Sequence, residues 1–199
     1  MDAESIEGRR PRPGIRRCLY QCYTCSVVGP AHIVLIGLMA SGKTTIGTAL
    51  AGRLHYPFID NDEALTARFG HSAREIETST GSDVLHRDEA DVLRGALADP
   101  QRAVIAAAAG AVPEPGVEDA LRGQTVVYLR ASPAELARRI ATMPDDGHRP
   151  FGARSPADVL QEQFNARDPI YRALATLVVE TETVSVADIV EVIAGAVGV

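Results

Sequence analysis

Gly37-Leu38-Met39-Ala40-Ser41-Gly42-Lys43-Thr44 fits the pattern G-x-x-x-x-G-K-[ST], a loop whose backbone N–H groups curl around phosphate oxygens. The apolar run His32-Ile33-Val34-Leu35-Ile36 precedes it and reads as a buried strand. Thr45 to Leu54 follows, with apolar residues at 46, 49, 50 and 54 in a helical period. Strand, glycine loop and helix together are the context the motif requires. The N-terminus of the helix adds partial positive charge. Lys43 can reach the β- and γ-phosphates of a nucleotide, and the Thr44 hydroxyl can ligate Mg2+.

Outward from this loop, strands and helices alternate. Pro57-Phe58-Ile59-Asp60, Ala103 to Ala107, Thr125 to Leu129 and Leu177-Val178-Val179 read as strands. Helical patterns cover about 62–69, 72–79 and 82–98, the second opening with the capping box Ser72-Ala73-Arg74-Glu75. Further helices open at Ser132-Pro133, Ser155-Pro156 and Ser185-Val186. The order predicts an α/β fold: a three-layer sandwich of about five parallel strands, with helices on both faces and ligands beyond the strands' carboxyl ends.

At 199 residues the chain suits one such domain. We expect residues 1–30 to be a disordered tail, rich in Arg and Pro and without a sustained period, and 31–199 to be the domain, with a lid at about 144–156. The net charge of −6 offers no electrostatic case for nucleic acid or an anionic membrane. No apolar run is long enough to span a bilayer, and the charged first residues do not read as a signal peptide, so a cytoplasmic protein is expected; it is further expected to be a monomer. Cys18, Cys22 and Cys25 have the C-x3-C-x2-C spacing of a radical iron–sulfur site, but a phosphate loop follows them instead of a barrel. A zinc site there would need a fourth ligand, for which His32 is the nearby candidate.

Three further places carry chemistry. Asp60-Asn61-Asp62 ends the second strand, where a carboxylate can hold Mg2+ or orient a hydroxyl, although Asp62 can equally cap the next helix. Arg149, within Asp146 to Gly152, suits a mobile loop that closes over a nucleotide and neutralises charge on the transferred group. Arg167 can face a substrate, or pair on the surface with Asp168 or Glu162.

Four segments in this order resemble the shikimate kinase family: Ile36 to Gly47, Phe58 to Asp62, Arg149-Pro150-Phe151, and Arg167-Asp168-Pro169-Ile170-Tyr171-Arg172. The resemblance covers about 32–195 and implies a kinase that moves the γ-phosphoryl group of ATP, with Mg2+, to a hydroxyl of shikimate, a cyclohexene triol carboxylate. It further implies that Gly37, Ala40, Ser41, Gly42, Lys43, Thr44, Thr45 and Arg149 bind ATP and that Thr44 and Asp60 bear on the metal. Lys43, Asp62 and Arg149 would be catalytic, with Asp62 deprotonating the acceptor. Asp62, His86, Ala109, Gly110 and Arg167 would line the acceptor site, Arg167 gripping a carboxylate.

The chain departs from the family pattern at the acceptor end. Leu85-His86-Arg87-Asp88-Glu89 stands where Phe-Arg-x-x-Glu is usual, so His86 replaces a carboxylate-binding arginine. Arg87 lies about 100° further around a helix and is no substitute. Ala108-Ala109-Gly110 replaces three glycines, adding two methyl groups. Thr142-Met143-Pro144 lacks the arginine usual at the start of the lid, and Glu182-Thr183-Val184 replaces a segment that usually offers one to adenine. Three readings therefore stand: a kinase of shikimate, a kinase of another cyclitol or sugar-like acceptor, and a nucleotide-binding regulator without catalysis.

Overall fold

The computed structural model describes residues 31–143 and 154–198, together with the backbone of 20–22. The elements run β1 (Tyr20–Cys22), β2 (Ile33–Ile36), α1 (Lys43–Leu54), β3 (Phe58–Asp60), α2 (Asn61–Phe69), α3 (Ala73–Thr80), α4 (Ser82–Leu97), β4 (Val104–Ala106), α5 (Val117–Leu121), β5 (Thr125–Arg130), α6 (Pro133–Thr142), α7 (Pro156–Leu174), β6 (Leu177–Glu180) and α8 (Val186–Ala196). The strands form one sheet in the order β1-β6-β5-β2-β4-β3. The five strands β6, β5, β2, β4 and β3 are parallel.

Alternation along the strands explains the two helical layers. Val34 and Ile36 enter one core with Ile105, Val126, Tyr128 and Val178, against Ala90 and Leu93 of α4, Leu136 of α6 and Leu160 of α7. Ile33 and Leu35 enter the other with Val104, Val127, Leu129 and Val179, against Leu50 of α1 and Ile193 of α8. Every residue of β2 is fully buried, as a strand covered on both faces must be. Burying each such side chain stabilises the fold by about 1.5–3 kcal/mol. A third cluster of Leu65, Ile76, Leu85 and Val92 fastens α2 and α3 to α4.

The helix starts follow the local signals. Ser72 and Glu75 form the expected capping box, and Ser132 accepts from Glu135 N ahead of Pro133. Asp60, not Asp62, is the N-cap of α2: its Oδ1 accepts from Asp62 N at 3.0 Å. Two features differ from the sequence reading. Tyr20–Cys22, within the expected tail, pairs antiparallel with β6, which shields an edge strand that otherwise has unpaired backbone groups. The short α5 was hidden in the turn-like stretch Pro113-Glu114-Pro115-Gly116 that introduces it. Of the cysteines, Cys18 and Cys25 lie outside the described residues. His32 cannot join them as a ligand, because Nδ1 accepts from Ala103 N at 3.2 Å and Nε2 bonds Asp99 O at 3.0 Å.

Candidate active site

β2 lies at the centre of the sheet, between β4 and β5; the chain leaves it for β3 and β4 on one side and then crosses to β5 on the other, a reversal that opens a crevice at its carboxyl end. Gly37 to Gly42 fills that crevice. A Cβ on Gly37 would stand 2.6 Å from Leu129 O and 2.7 Å from Ser41 Oγ, so only glycine fits. Ala40 takes a left-handed φ of 61°, strained for a residue with a side chain and typical of loops that aim several N–H groups inward. The Ser41 hydroxyl is buried without a hydrogen-bond partner among the described residues, as expected of a group meant for a phosphate oxygen. Gly42 precedes α1, on whose exposed first turn Thr44 and Thr45 stand.

Lys43 Nζ donates to Gly37 O at 2.9 Å and to Leu38 O at 3.1 Å, two of its three donors. Burial lowers its pKa, an effect opposed by Asp62, Asp60 and Glu89 and reinforced by Arg167. The charges of those four groups therefore all act on one ammonium. Asp60 arrives from the end of β3 and accepts from Thr44 Oγ1 through Oδ2 at 2.8 Å. Asp62 follows on the first turn of α2, exposed toward the same space.

The side expected to take the acceptor is built on α4. His86 and Glu89 are three residues apart and share a helical face. Both pack on Gly110, where an added Cβ would meet His86 Cδ2 at 2.1 Å and Glu89 Oε2 at 2.5 Å. Glu89 is buried, and Oε2 lacks a hydrogen-bond partner among the described residues. Burial first, then Asp62, pushes its carboxyl up to about 8, against the pull of Arg167 and Lys43. Burial and the Arg167 charge lower the His86 pKa, so the ring is neutral near pH 7. Arg167 thus bears on Lys43, His86 and Glu89 together. The surface pairing considered for it goes elsewhere: Asp168 binds Arg130 and Arg172, and Glu162 binds Arg154.

The two extra methyl groups do not both border this face. Ala108 points into the central core, and only Ala109 is half-exposed beside Gly110. Arg149 lies outside the described residues. Sequence reading passed over two groups. Glu89 was read only as part of a motif, although its place among the apolar positions 85, 90 and 93 of α4 marked it as buried. Arg139 of α6 donates to Ala40 O at 3.2 Å and to Thr181 O at 2.6 Å, so an arginine does stand beside the phosphate loop despite its absence at Thr142 to Pro144. Its spacing from Glu135 put the two on one face of α6, but nothing local said that this face meets the loop.

Comparison with known proteins finds relatives over most of the chain. The profile of the shikimate kinase family matches residues 39–197. The shikimate kinase of Cupriavidus pinatubonensis is 37% identical over 167 residues, 83% of this chain and 85% of that protein. That of Mycobacterium tuberculosis is 42% identical over 149 residues, 74% of this chain and 82% of that protein. Among solved structures, the shikimate kinase of Acinetobacter baumannii in complex with shikimate aligns with a TM-score of 0.77 at 27% identity, covering 84% of this chain and 92% of that one.

Proposed function

Because the chain belongs to the shikimate kinase family and is therefore a phosphotransferase with an alcohol acceptor, we propose that it transfers the γ-phosphoryl group of ATP to a hydroxyl of shikimate. The observation that carries this reading is the convergence of Lys43, Asp60, Asp62, Glu89 and Arg167 at the mouth of the phosphate loop.

The residues fit ATP and Mg2+. The orphaned Ser41 hydroxyl and the glycine cradle suit phosphate oxygens. Thr44 Oγ1 and Asp60 Oδ2 form an oxygen pair of the kind Mg2+ takes from a protein while phosphates and water complete its shell. When bound, the cation neutralises charge on the β- and γ-phosphoryl oxygens.

Each side chain then has a role. Lys43 turns from its own loop carbonyls to the bridging and γ oxygens, where negative charge grows. Asp62, exposed on the first turn of α2, accepts the proton of the acceptor hydroxyl at one carboxylate oxygen. Arg167 meets the acceptor carboxylate. Arg149 is assigned to the lid over ATP. His86, neutral and lacking a fork of donors, weakens the carboxylate grip relative to an arginine; this observation keeps a carboxylate-free cyclitol as the second reading.

The test is a product assay with ATP, Mg2+ and a panel of shikimate and uncharged cyclitols, with Lys43→Ala as control. Phosphorylated shikimate from the parent, and at least about a thousandfold slower turnover in the control, are expected. Product only from an uncharged cyclitol selects the second reading. ATP binding without product from any acceptor rejects both.

A further inference from the structure

Tyr171 stands one turn beyond Arg167 on α7, so both side chains share a face of the helix. Its ring is completely buried. The hydroxyl donates to Ala109 O at 2.9 Å. A phenol has one donor and two lone pairs, so with its hydrogen spent on Ala109 the oxygen can only accept. Arg167, one turn away on the same face, brings its charge to bear on that oxygen. That buried hydrogen bond ties α7, and with it Arg167, to the turn after β4, immediately before the Gly110 surface on which His86 and Glu89 pack.

The ring is held from behind. It meets Tyr128 of β5 edge-on, with centroids 5.2 Å apart and planes at 73°. The Tyr128 hydroxyl donates to Asp168 Oδ1 at 2.9 Å. Asp168, the neighbour of Arg167, also accepts from Arg130 Nε at 2.7 Å and from Arg172 Nε at 2.8 Å. Arg130 in turn covers the Phe164 ring at 4.8 Å. The rotation of α7 about its axis is thus locked to β5 by charge-assisted bonds beside Arg167 and by Tyr171 one turn later.

Packing alone does not ask for the hydroxyl, since a phenyl ring fills the same space. What the oxygen adds is a hydrogen bond that fixes the part of α7 carrying Arg167 against the Ala109 carbonyl. We infer that Tyr171 is a positioning residue for the acceptor: its hydroxyl sets where Arg167 meets the acceptor's anionic group relative to the wall formed by Ala109 and Gly110. The inference rests on the reading of Arg167 as the acceptor's cationic contact.

The experiment is a double-mutant cycle of Tyr171→Phe and Arg167→Ala, read as steady-state kinetics with shikimate and with ATP. Tyr171→Phe is expected to raise the shikimate KM about tenfold, the effect of one misplaced charge-assisted bond. The ATP KM and kcat should stay within about twofold, a split that general loosening of the fold would not give. In the Arg167→Ala background, Tyr171→Phe should change kcat/KM for shikimate no further. Should Tyr171→Phe lower stability, equilibrium binding of shikimate well below its melting transition gives the same comparison. If Arg167→Ala weakens shikimate use while Tyr171→Phe keeps the parent KM, the inference fails alone. Independent, multiplicative losses in the double variant also overturn it. If Arg167→Ala leaves the shikimate KM unchanged, the assignment of Arg167 falls and takes the inference with it.

Discussion

Thr44 Oγ1 donates to Asp60 Oδ2 at 2.8 Å, while Oδ1 of the same carboxylate accepts from Asp62 N and caps α2. One side chain therefore joins the first turn of α1 to the start of α2, the two helices to which the proposed phosphate and acceptor chemistry is assigned. Asp60→Asn keeps an acceptor for the cap and loses the charge; Asp60→Ala loses both. The alanine variant is expected to be about 0.5–2 kcal/mol less stable in urea unfolding, and the asparagine variant much less affected. Both should need more Mg2+ for half-maximal activity. Unchanged Mg2+ dependence in the two variants would remove Asp60 from the metal site.

Glu89 should make stability depend on pH. Its carboxyl is raised from 4.5 to about 8 in the folded chain, so between those values the fold holds a proton that the unfolded chain has lost. Stability should then decrease as pH rises across that window and level off above it. Glu89→Gln, which carries a permanent hydrogen-bond donor in the same shape, should flatten this dependence. Melting temperatures of both proteins from pH 5 to pH 9 provide the check. A gap that does not widen in favour of the variant at alkaline pH would mean that Glu89 is ionised in the fold.

His86→Arg should lower the shikimate KM about tenfold to a hundredfold, by restoring a forked grip on the carboxylate. The parent should show a weak version of the same gain on acidification. Because burial and Arg167 depress the His86 pKa, that gain should begin only below the ordinary histidine value of 6.5. Shikimate KM values for parent and variant across pH 5–8 distinguish the cases. An unchanged KM in a folded His86→Arg protein would point to an acceptor without a carboxylate.

Deleting residues 1–28 removes β1 and uncovers the outer edge of β6. The phosphate loop springs from β2, two strands inward, so the ATP KM should not change. The melting temperature should fall by no more than a few degrees, the effect of losing about 1 kcal/mol. A shifted ATP KM would show that the segment reaches the nucleotide end of the sheet.

The phosphate loop, the α/β alternation and most helix starts were legible in the sequence, because each is written in local terms. Gly37 and Gly42 set a backbone turn, Ser72 and Glu75 set a cap, and apolar periods of two or of three to four set strands and helices. Polar and charged groups in or next to that loop, as in Lys43, Thr44, Asp60 and Asp62, were legible for the same reason. What only the tertiary structure decided is how distant faces meet. The sequence presented Ala108 and Ala109 as equal obstacles, yet the path of the chain after β4 sends one methyl into the core and leaves the other beside Gly110. Glu89 became an acid of raised pKa only when α2 and α4 brought Asp62 near a buried carboxyl. Arg139 reached the Ala40 carbonyl, and Tyr171 the Ala109 carbonyl, across 99 and 62 residues of chain. Such contacts depend on the packing of whole helices on the sheet, and no local period or cap encodes them.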